Sequence, residues 1–179
     1  MGYLLRKITK LSGFNPDSPS NVELVPKTRD DVRAMIESME PNVKAQLSAD
    51  WLARFQASTR TDPWMHGFSA VLRPSGVAVG TGGFKGPPAD GAVEIAYGVN
   101  ADYQGKGYAT KIAEALVIYA FSFAEVDVIL AHTLPASSAS KRVLAKCGFD
   151  CVGEIVDPED GLVWRFEKRR LAQSGSHGS

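Results

Sequence analysis

One stretch of this chain constrains its fold more than any other. A strand pattern, Ala92 to Val99, runs through Asn100-Ala101-Asp102-Tyr103 into Gln104-Gly105-Lys106-Gly107-Tyr108-Ala109 and then into the longest helical pattern, Tyr108 to Phe123. That helix carries Ile112, Leu116 and Tyr119 on one face, and Val126 to Thr133 follows as a β-branched strand. A helix joining two strands of one sheet predicts a right-handed parallel crossover. Gly105 and Gly107 let the backbone approach a ligand without Cβ obstruction. The first turn of the helix has unpaired N–H groups and the positive end of the dipole. Together these predict an anion site whose natural occupant is a pyrophosphate. The dinucleotide fingerprint fails, because Gly105-Lys106-Gly107 is followed by Tyr108-Ala109-Thr110 with no third glycine, and the nucleotide P-loop is absent. A strand-to-helix turn without a ligand is the competing reading of the turn alone.

The remaining patterns extend this unit on both sides. Val22 to Pro26 reads as a strand, and Thr28 as the N-cap, with Asp31 in the capping-box position, of a helix through Met35 and Ile36. Leu47, Trp51, Leu52 and Phe55 have helical spacing. Phe68 to Leu72 and Val77 to Phe84 form a strand pair around Pro74-Ser75-Gly76, with a Gly/Pro loop from Lys85 to Gly91. Ser138 to Cys147 is a helix stopped by Gly148, and Val152 to Val156 with Leu162 to Glu167 makes a last hairpin. The order β-α-α-β-β-β-α-β-α-β-β predicts an α/β fold with one central mixed sheet. Turn signals at Ser12-Gly13, Asn15-Pro16 and Ser18-Pro19-Ser20 predict a flexible N-terminal extension over residues 1–20, a domain over 21–170, and a flexible tail over 171–179.

Composition narrows the function classes. The 179 residues suit one domain, and 20 basic against 20 acidic residues argue against general nucleic-acid binding. No apolar run reaches the ~18–20 residues that span a bilayer. Met1 to Arg6 lacks a signal-peptide pattern, and Arg6 breaks the myristoylation motif that Gly2 would begin. Cys147 and Cys151 read as reduced structural thiols in a cytoplasmic protein, with too few ligands for a zinc site, so no metal is expected.

Gln104-Gly105-Lys106-Gly107-Tyr108-Ala109 resembles the (Arg/Gln)-x-x-Gly-x-(Gly/Ala) signature of the GNAT N-acetyltransferase superfamily. The strand Val93 to Val99 before it matches that motif, and Thr133 to Phe149 is similar to the second block of the family. The resemblance covers Val22 to Arg169, and the ribosomal-protein N-terminal acetyltransferase branch is the one it resembles most. It implies a single, mostly antiparallel sheet with helices on both faces and strands splayed at the site of acetyl-CoA. It implies that Gln104, Gly105, Lys106, Gly107, Tyr108 and Ala109 hold the CoA pyrophosphate. Tyr97, Gly98 and Val99 would pair with the pantetheine arm like an added strand, and Ser137 stands where relatives carry an Asn that bonds the same arm.

Acetyl transfer needs a neutral amine, a polarised thioester and a protonated leaving thiolate. Glu94 alternates with Ala96 and Gly98 on one strand face and stands where many relatives place a general base. A surface carboxylate is its bland alternative. Ser140 matches the Ser of the family's Asn-x-x-Ser block and is the candidate donor to the thiolate, with an N-cap role as the alternative. Leu144 stands where many relatives carry a tyrosine acid, which moves weight onto Ser140 or water. His132, late in its strand, reads as a structural residue, a base or a substrate-orienting group. His66 reads as loop or strand edge. Trp51 and Phe55 read as core, while Trp64, Met65 and the loop Gly86-Pro87-Pro88-Ala89-Asp90 are candidate walls of the acceptor site.

The expected activity is direct acetyl transfer from acetyl-CoA to a primary amine: a protein N-terminus, amino acid, polyamine or antibiotic amine. The rival readings are a non-catalytic acyl-CoA sensor on the same fold and a nucleotide-binding regulatory domain. No membrane partner is expected, and the dimers common in the family leave a homodimer open.

Overall fold

A computed structural model describes residues 18–171 other than 46, 59, 74 and 159, so most of the expected N-terminal extension and of the tail, and Pro74 of the β-turn, lie outside the described residues. The strands are β1 (Val22–Pro26), β2 (Phe68–Leu72), β3 (Val77–Phe84), β4 (Ala92–Val99), β5 (Val128–Thr133), β6 (Asp150–Asp157) and β7 (Gly161–Arg169). They form one seven-stranded sheet in the order β1-β2-β3-β4-β5-β7-β6. Every neighbouring pair is antiparallel except β4 and β5, the two strands bridged by the long helix. Their parallel register runs only through Ala92↔Val128, Val93↔Ile129 and Glu94↔Leu130. Beyond Glu94 the strands part, while β4 stays paired to β3 as far as Val99.

The helices are α1 (Arg29–Ser38), α2 (Pro41–Lys44), α3 (Ala49–Ala57), α4 (Pro63–His66), α5 (Tyr108–Phe121) and α6 (Ser138–Lys146). Thr28 and Asp31 make the expected capping box: the Asp31 amide donates to Thr28 Oγ1 at 3.1 Å and the Thr28 amide to Asp31 Oδ2 at 2.7 Å. Two single-turn helices, α2 and α4, were not expected. Each opens on a proline at its first position, where the missing N–H costs nothing. Leu47 falls outside α3, which Ser48 caps.

Helix α5 lies on the face of the sheet that presents Ile95, Tyr97 and Phe84. A Cβ at Gly82, in register with Tyr97, would come within 2.9 Å of Ile112. Ile112, Ala113, Leu116 and Ala120 of α5 are fully buried in the main core with Ile129 and Leu144. Each large side chain so buried contributes about 1.5–3 kcal/mol. Val32, Ile36 and Phe55 form a second, smaller core, and the Trp51 ring stacks on Phe55 at 5.5 Å, which makes both aromatics structural. Trp64, a candidate cleft wall, instead packs edge-on among Phe84, Tyr119 and Phe123, and Met65 is buried.

Three boundaries shifted for identifiable reasons. Strand β5 starts at Val128 rather than Val126, because Val126 is buried for packing while its carbonyl accepts from the Arg170 guanidinium. Helix α5 stops at Phe121, where the Phe121 and Phe123 carbonyls are also taken by Arg170. The last hairpin is longer than expected, because β6 is an edge strand whose outer residues, Val152 and Val156 among them, are exposed. Gly148 closes α6 in the left-handed region, at φ +74°, as its sequence position predicts. His66 is neither loop nor strand edge: it ends α4, buried, with Nδ1 accepting from the Asp62 amide at 3.1 Å.

Candidate functional site

The Gly-rich turn has the geometry its residues predict. Gly105 and Gly107 sit at φ +74° and +88°, a region that disfavours any side chain. A Cβ on Gly105 would meet nothing within 4 Å, so its bare face looks into open space. Gly107 is the N-cap of α5 and offers no side chain to the first-turn amides, which stay available to an outside acceptor. The dipole of the 14-residue α5 points its positive end at the same place.

That place is a groove of about 480 Å³. Tyr97, Gly98 and Val99 of β4 and Gln104, Gly105 and Gly107 of the turn form one wall. The other wall is α6, through Ser140, Arg142 and Lys146 among others. The parting of β4 from β5 leaves the outer backbone edge of β4 beyond Glu94 unpaired by β5. Not every expected contact faces the groove. The Gln104 side chain donates from Nε2 to the Val99 carbonyl at 3.2 Å and so braces the end of β4. Lys106 folds back, its ammonium donating to the Asp102 carbonyl at 2.9 Å and lying over the Tyr103 ring. Neither Lys106 nor Ser137 lines the groove. Arg142 and Lys146 do, and received no role from the sequence. The signal for them was present: basic residues four apart share one helix face, and this helix flanks the Gly-rich turn.

A second cavity, of about 190 Å³, opens where β4 and β5 separate. It is lined by Glu94 and His132 from one face of the sheet and by Tyr97, Thr133, Ser140 and Leu144 from the other. Tyr97 and Ser140 line both cavities, so the two meet there. Glu94, three-quarters or more buried, has its Oε1 3.1 Å from Lys85 Nζ and 3.2 Å from His132 Nδ1. Lys85 also reaches Asp160 at 3.2 Å, and His132 Nδ1 lies 3.7 Å from Asp157 Oδ2. Burial alone would pull the Lys85 pKa down, but Glu94 and Asp160 outweigh it and raise the pKa, holding the ammonium charged. Of the candidate acceptor loop after Lys85, no residue from Gly86 to Asp90 lines this cavity; Gly86 lies instead beside Arg54 of α3.

The cavity gathers unsatisfied polar groups. Among the described residues, the buried side-chain polar atoms without a hydrogen-bond partner are Arg29 Nε, Tyr97 Oη, both His132 ring nitrogens and Thr133 Oγ1. All but the first belong to residues lining the second cavity. The close approach of His132 to Glu94 is therefore an ion-pair distance without hydrogen-bond alignment. Buried polar groups are nearly always paired in native proteins, so this concentration marks a place built for something else to complete. Burial raises the Tyr97 phenol pKa far above its ordinary range, so this group keeps its proton and can donate it in a hydrogen bond. Ser137 Oγ donates to Ser140 Oγ at 2.9 Å, which leaves the Ser140 proton free for another acceptor. Leu144 is fully buried and supplies no proton. Cys147 is a free, buried thiol in contact with the Thr110 carbonyl and raised in pKa by burial, while Cys151 is free and exposed. Among the described residues no cluster of metal-ligating side chains occurs, and no helix is long and apolar enough to cross a membrane.

Residues 19–150 match the family model described as Acetyltransferase (GNAT) domain. An uncharacterized N-acetyltransferase p20 of Bacillus licheniformis is 28% identical over 93 residues, which are 51% of this chain and 52% of that protein. The chain thus aligns with about half the length of that curated relative. An aminoglycoside acetyltransferase solved with coenzyme A and kanamycin superposes with a TM-score of 0.60 at 24% identity, over 83% of this chain and 95% of the other. A spermidine N-acetyltransferase of Vibrio cholerae, solved with CoA and spermine, superposes with a TM-score of 0.62 at 15% identity, over 84% and 96%. The fold is the one these structures share.

Proposed function

This chain belongs to the GNAT acetyltransferase family, and from that premise we propose that it transfers the acetyl group of acetyl-CoA to a primary amine by direct attack. The observation that carries the reading is the meeting of two cavities at Tyr97 and Ser140, one walled by an uncapped helix N-terminus and the other by a buried carboxylate. In this reading the pyrophosphate lies on the amides of Gly107 to Ala109, with Arg142 and Lys146 facing the phosphates from α6. Tyr97, Gly98 and Val99 present the free edge of β4 to the pantetheine arm. The thioester then lies at the junction, and the amine enters from the Glu94 side.

Glu94 draws the proton from the amine, and Ser140, polarised by the bond from Ser137, donates to the departing sulfur. The cavity holds Glu94 and Asp160 against the single cation Lys85, with Asp157 behind His132, so a cationic acceptor is favoured over a neutral or acidic one. Two relatives by fold were solved with an aminoglycoside and with a polyamine. We take a small polyamine or amino sugar as the acceptor class. The ribosomal-protein branch that the motifs resemble would instead present a protein N-terminus. The deciding experiment is thiol release from acetyl-CoA against a panel of polyamines, aminoglycosides and N-terminal peptides, with mass detection of the product. Amine-dependent release with an acetylated product supports the reading. CoA binding without release for any amine gives the site to an acyl-CoA sensor.

A further inference from the structure

We propose that His132 is the proton acceptor behind Glu94, receiving through that carboxylate the proton an attacking amine must shed. The role rests on the acetyl-transfer reading above. His132 sits two residues beyond the last paired level of β4 and β5, Glu94↔Leu130, and therefore on the same face as Glu94 at the mouth of the gap. Its side chain is only 9% exposed, and neither ring nitrogen has a hydrogen-bond partner. A neutral imidazole held this way is costly, since each buried polar group without a partner forfeits its hydration. Glu94 and Asp157 both lie within 4 Å of Nδ1, so a proton carried by Glu94 has an acceptor beside it. The ring therefore sits unpartnered within reach of the carboxylate that meets the amine.

Proton affinities favour this division of labour. A free carboxylic acid has a pKa of about 4.3 and an imidazolium about 6.5, while ammonium groups lie at about 7.7–10.4. A carboxylate alone is a weak sink for an amine proton, and an imidazole behind it is about a hundredfold better. Glu94 from β4 and Asp157 from β6 set two carboxylates beside the His132 ring. Lys85, just past the end of β3, is shared between Glu94 and Asp160 of the β6–β7 turn. Arg165, directly across on β7, pairs at 2.7 Å with Glu167, a carboxylate it shares with Arg169, so that cluster keeps one positive charge near the ring. In the step itself the C–N bond forms and the C–S bond breaks, its electron pair leaving on sulfur. With the amine bound, the 3.2 Å contact between Glu94 Oε1 and His132 Nδ1 tightens into an aligned hydrogen bond, and the amine proton passes through Glu94 to Nδ1 before it returns to solvent. Sulfur is protonated from solvent by way of Ser140. His132 acts through Glu94 and is a positioning and relay group rather than one that touches the substrate.

The test uses the full chain with His132→Gln, Glu94→Gln and the double variant. Turnover is followed from pH 6 to 9.5 with the best amine of the panel, and CoA affinity is measured by calorimetry. The expected result for His132→Gln is a 10- to 100-fold loss of kcat at pH 7, unchanged CoA affinity, and a deficit that shrinks as pH rises and solvent base takes over. The double variant should be no slower than Glu94→Gln alone, because residues acting as a unit do not add. A His132→Gln enzyme within twofold of the parent at every pH, or deficits that multiply in the double variant, would overturn the proposal. If the parent releases no thiol with any amine, the acetyl-transfer reading fails and takes this proposal with it. Normal parent activity with an indifferent His132→Gln sinks this proposal alone.

Discussion

Tyr97 shows how a single side chain can serve the site at a cost to the fold. Its ring packs against the main core, yet its hydroxyl is buried with no partner. Leaving a buried donor unsatisfied costs about 1–3 kcal/mol, and a phenyl ring of the same shape avoids that cost. Tyr97→Phe is therefore expected to stabilise the unliganded protein by about 1 kcal/mol, which for a chain of this size is about 2–4 °C in Tm. Denaturation with and without CoA checks it; a less stable Phe variant would mean that the hydroxyl has a partner in solution. Glu94 and Ser140 stood out in the sequence because each sits at a motif position, and both line the second cavity. Lys85, Asp157 and Asp160 did not, since Lys85 lies far from the two aspartates in the chain and joins them only when the end of β3 meets the β6–β7 turn.

At the scale of elements, the turn into α5 and the clamp at its far end are the two devices that hold the long helix in place. The open face of Gly105 and the uncapped Gly107 make the N-terminus a receiving surface. Gly107→Glu is expected to abolish CoA binding, by strain at φ +88° and by repulsion of the pyrophosphate, in a calorimetric titration that the parent passes. Micromolar binding by the variant would move the phosphates elsewhere. At the C-terminal end, the Arg170 guanidinium bonds the carbonyls of Phe121, Phe123 and Val126 at 2.6–2.9 Å. Such charge-assisted bonds are worth more than neutral ones, so Arg170→Ala should cost about 2–3 kcal/mol in urea unfolding. Arg170→Lys should recover only part of it, since one ammonium does not replace a planar fork. A loss below about 0.5 kcal/mol would make the clamp ornamental.

Across the whole molecule, acid sensitivity should arise away from the active site. His66 joins the small core to the rest: its ring meets Phe55 edge-on at 5.6 Å and contacts Ser58 Oγ at 3.2 Å. Burial lowers its pKa, because the charged form loses water. A histidine whose folded pKa is depressed stabilises the fold above its unfolded pKa of about 6.5 and loses that contribution as pH falls through the folded value. Stability measured by denaturant should therefore decline below about pH 6.5, and His66→Asn should remove this limb. An unchanged limb in the variant would assign the effect to other groups. Asp31 adds a second loss lower down, since its bonds from Thr28 hold its carboxyl below the usual range.

Local physics made much of this protein legible in advance. Period-two and helical alternation placed the strands and the longer helices, because those patterns are written residue by residue into which face is apolar. The glycines announced the anion site, because only a residue without Cβ takes φ near +74° to +88° cheaply. Even the splay between β4 and β5 was foreseeable from the motif resemblance. Other features had no local signal. The one-turn helices α2 and α4 are too short to show a period. The change of Trp64 from cleft wall to core, and the turning of Lys106 back onto Asp102, follow from neighbours supplied by other elements. The sequence by itself determined the sheet, the crossover and the Gly-rich turn into α5. Only the tertiary structure decided which charges meet in the gap, because Lys85, Glu94, His132, Asp157 and Asp160 come from the loop after β3, from β4, β5 and β6, and from the β6–β7 turn, brought together by packing.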